Sequence, residues 1–143
     1  MNQAIETLLR DHPDLADTGK AQPSYVVAEA ERALGVLFPV SFKDYLATWG
    51  WISFGPNQYM GLGTKIQSVV DTTRYVRQAR SLSPHFVVVC DNEGDEYVCL
   101  DTQAMKEGEC PVVIWDSPTR QISRPRSANF NEFLISDMRA FLE

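Results

Sequence analysis

The sequence predicts an α+β fold in which an antiparallel sheet of about four to six strands is flanked by N-terminal helices and closed by a C-terminal helix. Apolar residues recur at helical spacing through the first half of the chain and again in its last segment. Between these parts, short apolar segments follow one another with turn residues between them. Strands joined by short turns pair antiparallel, so this order argues against an alternating doubly wound fold.

Two helices and a loop are predicted at the start of the chain. The first helix ends at His12-Pro13, and the polar stretch 14–23 is predicted to be a loop because glycine and proline interrupt it. The second helix begins near Ser24 and ends at Gly35. The apolar faces of the two helices are formed by Ile5, Leu8, Leu9, Val26, Val27, Ala30, Ala33 and Leu34.

A third helix is predicted to begin at Pro39 and to end at Gly50, since proline suits a first helical turn. Its apolar face consists of Phe42, Tyr45, Leu46 and Trp49. The segment 51–62 is rich in aromatic residues and glycine, which predicts one or two short strands with a turn at 55–57. Thr64 and Gln67 have the spacing of a capping box, which predicts that a fourth helix starts there. That helix would turn Ile66, Val69, Val70, Thr73 and Val76 inward.

The second half of the chain predicts a β region and a closing helix. Strands are expected at 86–90, 96–100 and 112–115, with a short edge strand at 121–123. The final helix is expected to be capped near Ser127 or Asn129. It would bury Phe130, Phe133, Leu134, Met138, Phe141 and Leu142.

Composition predicts one soluble domain that spans residues 1–143. The chain is 44% hydrophobic and 22% charged, which is typical of globular proteins. Neither a signal peptide nor an apolar run of membrane-spanning length is visible, so we expect a cytoplasmic protein without membrane contact. The net charge of −6 disfavours direct nucleic-acid binding and fits a basic protein partner, although mild acidity also serves solubility.

The residues that usually carry chemistry are sparse and badly spaced. Cys90, Cys99 and Cys110 are predicted to be buried, reduced thiols, because their number is odd and their spacing does not suit zinc. Cys99 and His85 could meet across a hairpin, but a buried cysteine beside a loop histidine is more often a packing contact than a catalytic pair. The acidic turn 91–96 lacks the ligand spacing of a calcium loop. We therefore predict no enzyme activity, no metal and no cofactor.

Acidic residues at strand ends and in strand connections form the candidate binding surface. They are Asp91, Glu93, Asp95, Glu96, Glu107, Glu109 and Asp116. Turns at one end of an antiparallel meander lie close together, so these carboxylates can form a partner surface or simply a solvated rim. Trp51 and Tyr59 are the candidate aromatic anchors of such a surface, although their residue type favours burial in the core.

Several collinear motifs resemble the SUKH superfamily of bacterial immunity proteins. They are Pro39-x-x-Phe42-Lys43-Asp44-Tyr45-Leu46 with Gly50, the segments 28–39, 59–62 and 99–116, and Asn129-Phe130-x-Glu132-Phe133-Leu134. The resemblance covers about residues 24–142 and agrees with the order of elements above.

The resemblance implies an antitoxin that binds a cognate toxin domain, in many cases a basic nuclease, and neutralises it by stoichiometric occlusion. It implies no catalytic residue, and we expect a monomer or a weak homodimer. The superfamily is also similar to fungal cell-wall assembly regulators, so a non-catalytic intracellular scaffold or regulatory module is the alternative.

Overall fold

The computed structural model describes residues 3–64 and 68–143 and confirms the α+β prediction. The helices of this part of the chain are α1 (Gln3–Asp11), α2 (Ser24–Leu34), α3 (Val40–Thr48), α4 (Val69–Arg80) and α5 (Phe130–Leu142). The strands are β1 (Ala16–Thr18), β2 (Ile52–Phe54), β3 (Asn57–Tyr59), β4 (Phe86–Asn92), β5 (Glu96–Asp101), β6 (Val112–Asp116) and β7 (Gln121–Ser127). None of the described helices is long and apolar enough to cross a membrane.

The strands form two antiparallel sheets where the sequence predicted one. The first has the order β1-β2-β3 and the second is the meander β4-β5-β6-β7. The strand β1 lies inside 14–23, so the prediction of a loop there was wrong. Its Asp17 pairs with Ser53 of β2, and this pairing gives the segment an order that its polar composition does not signal.

Helix ends follow the local sequence where capping residues are present. Gly35 ends α2 in the left-handed conformation, with φ of 69°. Asn129 caps α5 by accepting a hydrogen bond from Glu132 N at 2.9 Å, as predicted. Helix α4 begins at Val69 with Ser68 as its cap, which is later than the predicted Thr64 start. Gln67 and Ile66 lie outside the described residues, so the proposed capping box is not described.

The four-stranded sheet is covered on both faces by different cores. Its larger core includes Val87, Val89, Val98 and Ile114, which pack with α2, α3 and α5. The smaller core on the other face contains Val88, Tyr97, Cys99, Val113 and Trp115 together with Val76 of α4. A bulge between Val88 and Cys90 turns both Val89 and Cys90 toward the larger core.

Two predictions at the C-terminal side need correction. Strand β7 is longer than the predicted 121–123. Helix α5 buries Phe130, Phe133, Leu134 and Met138, but Phe141 is 40% exposed and Leu142 is 38% exposed. Phe141 still packs its ring edge-on against Phe54, with 6.3 Å between ring centroids, so it covers the end of the three-stranded sheet.

Candidate interaction surface

The meander brings two acidic turns together at one end of the four-stranded sheet. The β4–β5 turn and the β6–β7 turn lie side by side, and Ser117 N donates a hydrogen bond to Asp95 O at 2.8 Å between them. We call this region the acidic end. Its carboxylates are Asp91, Glu93, Asp95, Glu96 and Asp116.

The first of these turns is shaped by its own side chains. Asp91 Oδ1 accepts a hydrogen bond from Gly94 N at 2.7 Å, which closes the turn locally. Glu93 and Gly94 both have positive φ, 59° and 81°, a conformation that glycine adopts without strain. This geometry leaves Asp91, Glu93 and Asp95 exposed, so their charges face solvent.

A hydrogen bond within its turn holds Asp116, and an ion pair with Arg124 of β7 holds Glu96. Asp116 Oδ2 accepts from Thr119 N at 2.9 Å, and hydrogen bonds from Thr119 hold the pKa of this carboxyl below its ordinary value. Glu96 and Asp116 are direct cross-strand neighbours, which is unfavourable for two like charges. Arg124 relieves this repulsion, since its Nη1 lies 3.2 Å from Glu96 Oε2.

The acidic end remains negative despite nearby arginines. Arg120 lies in the β6–β7 turn, and Arg124 and Arg126 lie on β7. Arg126 is paired with Asp137 of α5, so Arg120 and Arg124 are left to oppose the five carboxylates. The 86–101 hairpin itself contains no lysine or arginine. A basic protein surface would therefore be attracted to this end of the sheet.

Glu107 and Glu109 lie at the opposite end of the sheet, so the seven candidate carboxylates do not form a single surface. Both belong to the β5–β6 connection, and an antiparallel meander places that connection away from the other two turns. Glu109 accepts hydrogen bonds from Ser41 N at 3.0 Å and from Ser41 Oγ at 2.7 Å. It therefore holds the first turn of α3, where a negative charge is favourable. Glu107 is exposed and has φ of 55°.

Neither predicted aromatic anchor lies at the acidic end. Tyr59 is fully buried, and its hydroxyl donates to Asp137 Oδ2 at 2.6 Å, so the interpretation as an exposed anchor was wrong. Burial, and then the negative charge of Asp137, raise the pKa of Tyr59 and keep it neutral. Trp51 is half-buried and packs against Gly19 beside the three-stranded sheet, where a Cβ on Gly19 would stand 2.3 Å from its Nε1.

The structure reveals apolar side chains at the acidic end that the sequence did not single out. Strand register aligns Asp91, Tyr97, Trp115 and Ile122 in one row on the side of the sheet that faces α4. Ile122 is 49% exposed, and Tyr75 of α4 is 59% exposed. The β-strand pattern around 121–127 could have identified Ile122, whereas Tyr75 comes near Tyr97 only because α4 packs on this face of the sheet.

The candidate nucleophile Cys99 and Arg77 of α4 have structural roles. Cys99 lies opposite Val88 instead of His85, and burial raises the pKa of its thiol, which makes it a poor nucleophile.

Arg77 donates to Leu34 O at 2.7 Å and to Pro84 O at 2.7 Å, so it joins the end of α2 to the segment before β4. Burial lowers the pKa of Arg77 from its ordinary value, and the nearby Arg74 adds to that shift. In the described part of the chain no three acidic, thiol or imidazole groups converge to hold a metal ion.

Comparison with known proteins identifies what the chain resembles. A family model described as "SUKH_5: SMI1-KNR4 cell-wall" matches residues 1–138. A solved structure described as "Crystal structure of protein from Pseudomonas syringae pv. tomato" superposes with a TM-score of 0.61 and 14% sequence identity. That match covers 78% of this chain and 83% of the other, and at this identity it supports the fold alone.

Proposed function

This chain belongs to the SMI1-KNR4 cell-wall family, SUKH_5, and we propose that it is an immunity protein that binds and neutralises a toxin domain, with a basic nuclease as the favoured partner. The SUKH family includes immunity proteins and consists of protein-interaction modules. In this proposal the protein acts by occluding the toxin stoichiometrically and has no catalytic residue of its own.

The observation that carries the proposal is the set of exposed carboxylates at the acidic end. Asp91 and Asp116 bond only within their own turns, and Glu93 and Asp95 are exposed at the tip of the first turn. In the described part of the chain the side chains of Glu93 and Asp95 make no hydrogen bond or ion pair, so the fold does not use their charge, whereas Asp91 and Asp116 each serve their own turn. A nuclease carries a positive cleft for phosphates, so a negative surface of this kind competes for that cleft.

Charge alone does not give a tight complex. A nanomolar complex needs about −12 kcal/mol, and most of that comes from a buried apolar centre. Ile122 supplies exposed apolar area beside the carboxylates, and the buried Trp115 and Tyr97 continue its row toward the exposed Tyr75 of α4. We assign the centre of the interface to this row and its rim to the carboxylates.

The test is titration calorimetry of this protein with the C-terminal domain of a toxin encoded next to its gene. We expect one-to-one binding that weakens as salt rises, and about tenfold weaker binding for Glu93→Lys. Glu107→Lys is the matched control, because Glu107 is also an exposed glutamate with positive φ but lies at the other end of the sheet. Equal loss from both variants, or no loss from either, would reject the acidic end as the surface.

A scaffold or regulatory module is the second candidate, and a separate surface favours it. Leu37 is 72% exposed and Val40 is 46% exposed where α2 passes into α3, away from the acidic carboxylates in the sequence. Single exposed apolar residues are common, so this surface is the weaker support. Folded protein that binds no encoded toxin but retains an unrelated partner in a pull-down would favour this candidate.

A further inference from the structure

Three different groups contact the outer edge of β4 along part of its length. It is an edge strand of the four-stranded sheet, and such edges leave backbone groups that need partners. Val88 N donates to Thr73 Oγ1 of α4 at 2.9 Å. At the bulge, Val89 O accepts from Met60 N at 2.9 Å, which joins β4 to the segment after β3. Cys90 Sγ then makes a weak contact with Gln58 O at 3.6 Å.

Beyond Cys90 this cover ends, and the two sheets separate to leave a cleft. Its volume is about 390 Å³. Asn57 and Gln58 line one side, Asp91 and Glu93 line the other, and the buried side chains of Met60 and Cys90 lie between them. The cleft is therefore bounded by two strand edges and opens at the acidic end.

The groups around the cleft favour a hydrogen-bond donor with a positive charge. Asp91 and Glu93 supply the negative charge of the lining. Burial raises the pKa of the Cys90 thiol to about 12, and the negative charges of Asp137 and Asp91 add to that shift, so the thiol stays neutral. Asn57 Nδ2 donates to Asp137 Oδ2 at 3.4 Å, which leaves the amide oxygen of Asn57 as an acceptor. Arg126 is the positive charge near Cys90, and its Nη2 is already paired with Asp137 Oδ1 at 3.4 Å.

We propose that this cleft receives one arginine side chain of the basic protein partner. The inference rests on the proposed function, because it assigns the anchor of the same interface. A guanidinium presents its donors in a planar fork that suits carboxylate and amide oxygens, and its aliphatic stem can lie on Met60 and Cys90. The cleft is at the small end of the range for ligand sites, so it accommodates a side chain and excludes a helix.

The first test needs no toxin. The full chain, labelled with ¹⁵N, is titrated with acetyl-Gly-Arg-Gly-amide and, separately, with the same peptide carrying citrulline, which is isosteric and uncharged. We expect saturable shifts confined to the amides of 57–60 and 90–94 with arginine, and at least fivefold smaller shifts with citrulline. Shifts that never saturate, that are spread over both ends of the sheet, or that are equal for the two peptides would overturn the proposal.

The second test blocks the cleft without changing charge. Gln58 is exposed on β3, so Gln58→Trp should fill the cleft while the protein folds. Gln103→Trp places the same indole on an exposed residue of the β5–β6 connection, at the other end of the sheet. We expect Gln58→Trp to abolish the arginine-peptide shifts and to weaken binding of the encoded toxin domain at least tenfold, with Gln103→Trp unchanged in both. Toxin binding that survives Gln58→Trp would reject the cleft but keep the immunity function. If the unaltered chain binds the peptide but no toxin, the proposed function fails while the cleft stands.

Discussion

At one end of the four-stranded sheet, Glu93 extends from its turn into solvent, whereas at the other end Glu109 is held by the backbone and hydroxyl of Ser41. Both are glutamates in connections between strands, and sequence context does not distinguish them. The difference arises because the start of α3 packs beside the β5–β6 connection, so a carboxylate there has donors to satisfy. The same residue type is thus part of the fold at one end and available to a partner at the other.

The largest effect is expected from removing the carboxylate that the fold uses. Glu109→Ala leaves Ser41 N and Oγ without their acceptor, and Ser41 is only 4% exposed, so we expect a loss of about 1–3 kcal/mol in the free energy of unfolding. Denaturant unfolding measures this loss. Glu107→Ala in the same connection should change stability by less than about 0.5 kcal/mol. Similar losses for the two variants would mean that the Ser41 contacts do not distinguish them.

A smaller effect is expected for a matched pair of threonines at the two ends. Thr102 Oγ1 donates to His85 O and joins the start of the β5–β6 connection to the start of β4. Thr102→Val should cost about 0.5–1.5 kcal/mol in unfolding free energy, because it removes a hydrogen bond between distant parts of the chain. Thr119→Val at the acidic end should cost less, since Thr119 is exposed and bonds within its own turn. If Thr119→Val lowered the thermal unfolding midpoint more than Thr102→Val, the contrast between the two ends of the sheet would be contradicted.

The smallest effect concerns pH at the acidic end. Hydrogen bonds from Thr119 lower the pKa of Asp116 from 3.8, so the stability that they contribute is present above that pH and is lost as pH falls through the folded-state pKa. Carboxyl-detected NMR should find the pKa of Asp116 below 3.8 in the native chain and closer to it in Thr119→Val. The variant keeps the backbone N–H bond of residue 119, so an unchanged pKa would show that the Thr119 hydroxyl does not hold the carboxylate.

Much of the fold could be predicted from local patterns. The α+β class, the ends of α1 and α2, the cap at Asn129 and the strands around 86–100 all follow from periodicity and capping residues, which act over a few neighbours. Strand β1 escaped prediction because its three residues are ordered by pairing with β2, a contact distant in sequence. Phe141 and Leu142 at the C-terminal end of α5 were predicted to be buried because they continue the apolar spacing of the helix. They are partly exposed because the core ends before them.

The candidate surface was only partly predictable. An acidic turn at 91–96 is visible in the sequence, and the meander correctly placed Asp116 beside it. Tyr59 was left as a candidate anchor because its irregular segment does not show whether it is exposed; the structure buries it, and its hydroxyl bonds Asp137 of the distant α5. Tyr75 and the cleft beside Asp91 arise only where α4 and β3 approach β4.

The sequence by itself determined most of the helices, the core of the four-stranded sheet, the acidity and the family, since each is encoded in short patterns of residue type. Tertiary structure alone decided which carboxylates serve the fold and which remain at the surface, because that depends on whether a buried donor comes within hydrogen-bond distance. Ser41 reaches Glu109 across 68 positions of sequence, and the turn that bears Glu93 closes on itself. Contacts between residues so distant in sequence are set by the packing of the core, and no local sequence pattern around either glutamate predicts them.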